Sequence, residues 1–263
     1  ARARIGEDFW SRGVGDGLKE QGVISNSAVL AKHRNTTGIM HGLGGIAGIN
    51  EQGITNVATL GVTNGSYGMT NSQSNEYVGG IVGVNYFGVS GVYNESVVIG
   101  ASNVGGIAGK NDFRQDLYED NPGIYTGGSI DDTVNAGSVT VIGDGEYAGG
   151  IVGSNYGWVN YGRNTGSVSG TNYVGGIVGY NAIGAGIENL SNAIAAEISG
   201  KTYVGGIAGA NAGEITAESN IVNEGKITGK TNVGGVAGIK EETGVIRGGK
   251  DESGTKRTTN PAT

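Results

Sequence analysis

Seven copies of one short motif limit what this chain can fold into. The fullest copy is Tyr173-Val174-Gly175-Gly176-Ile177-Val178-Gly179-Tyr180-Asn181, and its glycine pair recurs at Gly44, Gly79, Gly105, Gly149, Gly175, Gly205 and Gly234. Steps between these glycines are 35, 26, 44, 26, 30 and 29 residues. Periods of that length belong to solenoids and arrays, whose units contact only their neighbours. Function must therefore be sought on an elongated repeated surface rather than in one pocket.

The unit 149 to 174 defines the plan: Gly149 to Asn155, Gly157-Trp158-Val159-Asn160, Gly166-Ser167-Val168-Ser169-Gly170, then Tyr173-Val174. These runs are too short for helices and are bounded by Asn, Gly, Ser and Thr, so they are read as strands. Three strands and three corners per unit predict an all-β fold, a parallel β-helix expected to be right-handed. We expect about seven to eight coils of roughly 26–30 residues, with insertions at the longer steps. At about 4.8 Å per coil, seven coils give a rod about 30–40 Å long. Glycine makes up 55 of 263 residues, but Val and Ile recur at fixed places among the glycines and supply apolar surface to bury. With only 2 Pro and no three-residue glycine period, collagen is excluded.

Stacked coils turn equivalent residues into ladders. Ile46, Ile81, Ile107, Ile151, Ile177, Ile207 and Val236 should fill the interior. The Gly-Gly pair should mark a corner that needs either a positive φ or a close backbone approach. Whether Val174 and its equivalents also point inward depends on that corner. Asn50, Asn85, Asn111, Asn155, Asn181 and Asn211 follow the motif in six copies, while Lys240 stands in the seventh. Stacked amides can bond from coil to coil, so a structural ladder is the expected role. Tyr77, Tyr147, Tyr173 and Tyr203 share the place two before Gly-Gly, with Asn103 and Asn232 in two other coils. They form either a row of rings packed on one another or a binding face.

Three segments follow from the pattern. Residues 1–20 lack the motif and are expected to be an N-terminal cap or junction, with Asp8-Phe9-Trp10 as covering aromatics. Residues 21–248 are the repeat domain, opening on a degenerate coil from Gly22 to Met40, and 249–263 are a polar tail or linker. The chain begins at Ala1, so a processed product or a piece of a longer polypeptide is expected. It has no apolar run long enough for a membrane span and no signal-peptide core.

The pattern Tyr-Val-Gly-Gly-Ile-Val-Gly-x-Asn resembles the GLUG motif, over about 200 residues. That motif is found in tandem in bacterial surface adhesins of the filamentous-haemagglutinin-like kind and in N-terminal regions of immunoglobulin A1 metalloproteases. The resemblance implies a non-enzymatic extracellular or cell-surface segment, a stalk or adhesive surface. Its expected partner is a host or cell-surface protein or glycan, or copies of itself. The motif brings no catalytic residue, and the chain lacks the His-Glu-x-x-His zinc sequence of those proteases.

Zero Cys removes disulfides and thiol chemistry, and a net charge of −7 opposes nucleic acid and anionic membranes as partners. The 44-residue step carries Asp112, Asp116, Glu119, Asp120, Asp131, Asp132, Asp144 and Glu146. Asp131 and Asp132 are the calcium candidates in that stretch, against a solvated acidic loop, and no metal or cofactor is expected. Gly42 to Ala47 matches a dinucleotide fingerprint by composition alone, since no βαβ unit surrounds it. His33 and His41 are the only histidines and are not read as a metal pair. Glu188, Glu197, Glu214, Glu218 and Glu224 occupy varied places in the coils. A carbohydrate-active β-helix, which needs converging carboxylates, is therefore the last alternative, behind a self-assembling filament subunit.

Overall fold

The computed structural model describes residues 24–25, 28–29, 41–51, 53–59, 63–64, 76–113, 127–216, 221–247, 249–250 and 256–257. The fold is an all-β parallel solenoid. The coil built on Gly175 has a leading strand Asn172–Gly175, a trailing strand Val178–Asn181, a long strand Gly186–Asn192 and a short strand Glu197–Ser199. Equivalent strands pair in parallel from coil to coil, giving leading and trailing sheets of seven strands, a short sheet of six and a long sheet of eleven. Each coil thus has four strands where three were expected. The difference lies in the motif itself, which bends at Gly-Gly and splits into two strands.

Close approach, not backbone sign, explains the glycine pair. Neither Gly175 nor Gly176 has a positive φ. A Cβ on Gly176 would collide with the Gly206 carbonyl of the next coil and sit 2.8 Å from the Asn192 amide. The left-handed place lies two residues earlier, at Gly42, Tyr77, Asn103, Tyr147, Tyr173, Tyr203 and Asn232, with φ of 87°, 56°, 52°, 65°, 53°, 56° and 54°. That twist presses the leading strand onto the trailing strand of the next coil. A side chain on Gly179 would meet the Tyr147 backbone, so the motif's third glycine is fixed by the same seam.

The bend also divides the interior. Ile177 and Val178 pack with Ile187 and Leu190 in one core. Val174 and Val204 pack with Val168 and Ile198 in another. Both rows therefore point inward, on opposite sides of the glycine corner. The isoleucine row is buried as expected from Ile46 to Ile207, and Val236 is partly buried at the end of it.

Two asparagine ladders stitch the coils. Along the expected one, each Nδ2 donates to the next Oδ1: Asn50 to Asn85 at 2.7 Å, Asn85 to Asn111 and Asn111 to Asn155 at 2.8 Å, Asn155 to Asn181 at 2.9 Å, Asn181 to Asn211 at 2.8 Å. Asn155 also donates to the Gly157 carbonyl and accepts from the Gly157 N–H, which closes the corner turn locally. A second ladder, absent from the expectations, runs Asn94, Asn135, Asn164, Asn192 and Asn223 at 2.7–2.9 Å. It sits between the long and short strands and packs against Gly80, Gly106, Gly150, Gly176 and Gly206, the second glycines of five pairs.

Ile24–Ser25 and Ala28–Val29 pair in parallel with Ile54–Thr55 and Ala58–Thr59, so part of the degenerate first coil is present. The longer steps place their extra residues between Asn64 and Glu76 and between Phe113 and Gly127. The proposed cap, residues 1–20, lies outside the described residues. Of the tail, Gly249–Lys250 and Lys256–Arg257 form an antiparallel pair.

Candidate functional site

The outer edge of the bend carries the aromatic surface. Tyr147, Tyr173 and Tyr203 occupy successive leading strands, and the coil stacking brings their rings together. The centroids of Tyr147 and Tyr173 are 5.2 Å apart, and Tyr173 and Tyr203 stack at 4.9 Å with planes 15° apart. All three are half-buried, and the expected row of rings packed across coils is present.

The place itself does not ask for tyrosine. A left-handed backbone costs an L-residue with a Cβ about 1–2 kcal/mol, and glycine and asparagine bear it most easily. Gly42, Asn103 and Asn232 fill the same place in other coils. Stacked rings return about 0.5–1.5 kcal/mol per pair, which offsets the strain without clearly exceeding it.

The trailing strand widens the row. Tyr180 stands one place after the motif's third glycine, with its centroid 5.4 Å from Tyr147 and 6.3 Å from Tyr156. Lys110 holds the equivalent trailing-strand place two coils earlier, with Ser154 between them in register. The Lys110 ammonium lies 5.5 Å from the Tyr77 centroid and 4.8 Å from that of Tyr156, and 2.6 Å from the Asp112 carboxylate. Burial disfavours its charge, but the hydrogen bond and attraction from Asp112 prevail and raise its pKa. Burial pushes the Tyr147 phenol well above its usual range, and Glu146 adds to the shift. Tyr173 and Tyr180 are also raised, first by burial and then by Glu146 and Glu241 for the former and Glu241 for the latter. With their pKa values raised, Tyr147, Tyr173 and Tyr180 are neutral at physiological pH.

Tyr156, Tyr180 and Lys110 were not legible among the places that keep their residue type from coil to coil. The varied place x in Gly-x-Asn holds Val84, Lys110, Ser154, Tyr180 and Ala210, and variation inside a fixed frame was the signal available. Asp131 and Asp132 lie on the long strand Ser129–Asn135, where Asp131 stands between Ser90 and Asn160 and Asp132 adopts a φ of 49°. Asp112 is held by Lys110, while Asp116, Glu119 and Asp120 lie outside the described residues. Among the described residues, no three His, Cys, Asp or Glu gather to hold a metal ion. Glu188 and Glu214 sit on the long sheet and Glu197 opens a short strand, while Glu218 and His33 lie outside the described residues. Among the described residues no helix is long and apolar enough to cross a membrane. No protein-family model, curated protein or solved structure matches the chain.

Proposed function

We propose that this solenoid is a non-enzymatic adhesive or display segment of a bacterial surface protein, working outside the cell and binding through the tyrosine row. The reading draws on the GLUG-like motif and on one observation above all. Tyrosine stands at a left-handed place that glycine and asparagine fill elsewhere at less strain, so its presence there is attributed to its ring. Half-buried rings aligned along a rigid rod offer large contact area at small entropy cost, as a host-surface protein or glycan would require. The experiment is the double variant Tyr147→Asn/Tyr173→Asn, compared with wild type for melting temperature and for binding to host cells and an immobilised glycan panel. Asparagine suits the backbone, so melting should move by about 1 kcal/mol or less while binding is lost. Retained binding with both rings removed would overturn the proposal.

End-to-end assembly is a second reading, favoured by the last coil. Among the described residues, Lys226–Thr228, Thr231–Gly234, Ala237–Lys240 and Val245–Arg247 pair on one side only. Val233 is 48% exposed where the equivalent Val204 is fully buried. Unpaired strand edges with apolar rows can template another chain. Light scattering across a concentration series should then report growth, and a constant monomer mass would remove this reading.

A further inference from the structure

The tyrosine row already holds one cation, supplied by the chain itself. Lys110 places its ammonium over the rings of Tyr77 and Tyr156 and against the carboxylate of Asp112, three components in one small volume. Farther along the rod rings recur beyond the reach of a lysine in the register place of Lys110. The Tyr147 ring has those of Tyr173 and Tyr180 at 5.2 and 5.4 Å, and Glu146 stands next to Tyr147 in the same strand, Glu146–Gly149. The trailing-strand place that Lys110 fills is occupied there by Tyr180 and Ala210, neither of them cationic.

We infer that this part of the row takes a cationic side chain, lysine or arginine, from a basic protein partner; the inference rests on the adhesive reading above. The physical case is the one Lys110 demonstrates. Ring faces attract a cation through their quadrupole, and a nearby carboxylate adds Coulomb attraction in a partly desolvated setting. A neutral glycan would stack on the rings but gain little from the carboxylates, and an anionic glycan would be repelled by them. The net charge of −7 steers basic partners toward the rod and anionic ones away.

The test uses the full chain and a fluorescent peptide of alternating glycine and lysine, read by anisotropy. Its lysine-acetylated form is the first control, and a neutral and an anionic oligosaccharide are the others. The lysine peptide should bind about tenfold more tightly than the acetylated one. Tyr147→Asn/Tyr173→Asn should weaken binding about tenfold, and Glu146→Gln/Glu241→Gln several-fold, whereas Glu197→Gln, on the short strand, should leave it unchanged. Equal binding of the acetylated peptide would overturn the inference, as would an equal loss on Glu197→Gln, which would signify general charge attraction. If the tyrosine variant instead loses only an oligosaccharide, the adhesive reading stands and the cationic partner falls. If no ligand depends on the tyrosines, both fall.

Discussion

The asparagine ladder through Asn181 and the tyrosine row through Tyr173 repeat at the same coil spacing on opposite sides of the trailing and leading strands, yet they follow different rules. The ladder keeps one residue type through six coils, fully buried at five of the six places and bonded amide to amide. The row changes between Tyr, Asn and Gly, stays half-buried where it is Tyr, and bears backbone strain. An interior position answers to its two neighbours in the stack, and any departure leaves donors or acceptors unpaired. An outer position answers only to the backbone sign, and ring chemistry is free to vary there.

This contrast can be broken from either side. The largest effect is expected at the bend both features share. Gly176→Ala drives a methyl into the Gly206 carbonyl and the Asn192 amide, and should cost about 3 kcal/mol or more in chemical denaturation. A loss below about 1 kcal/mol would mean the seam yields. Next is Asn155→Ala, which strips the Asn181 acceptor of the Asn155 donor and the Asn111 amide of one of its acceptors, leaving Asn111 its bond to the Gly128 carbonyl. About 2–3 kcal/mol is expected, well above the near-neutral Tyr173→Asn one strand away. Equal losses at the two sites would erase the distinction between ladder and row.

The smallest effect sharpens the row itself. The folded-state pKa of Tyr147 is raised, chiefly by burial and then by Glu146, so folded chains keep a proton that unfolded chains release near pH 10. The associated stability is complete below about pH 10 and is lost as pH rises through the folded pKa. Melting in alkaline buffer should therefore fall more steeply for wild type than for Tyr147→Asn. Parallel curves would show that Tyr147 is not held neutral by its neighbours.

Much of this was legible in the motif. Repetition gave the solenoid, and branched apolar residues at one phase gave the core, because parallel stacking converts a sequence period directly into a spatial column. The second asparagine ladder was missed although Asn135-Ala136-Gly137, Asn164-Thr165-Gly166 and Asn223-Glu224-Gly225 carry an Asn-x-Gly signal. The uneven steps put those triplets at changing distances from Gly-Gly, so counting from the motif hid them. The left-handed tyrosine place was not legible, because tyrosine is a poor marker of positive φ. Gly42, Asn103 and Asn232 at the same place held that information in residues that looked like exceptions. Tyr156 and Lys110 meet only through coil stacking, a neighbourhood that no linear reading of 45 intervening residues displays.

The sameness of the amide ladder has a consequence for inheritance. Because Asn155 meets Asn181 through the same bond by which Asn111 meets Asn155, the joints from Asn50 to Asn211 are interchangeable with one another. Duplicating or deleting one unit of DNA would preserve each joint and change the reach of the molecule by about 4.8 Å. Rod length can thus drift between lineages as a free variable, while the outer row is edited coil by coil.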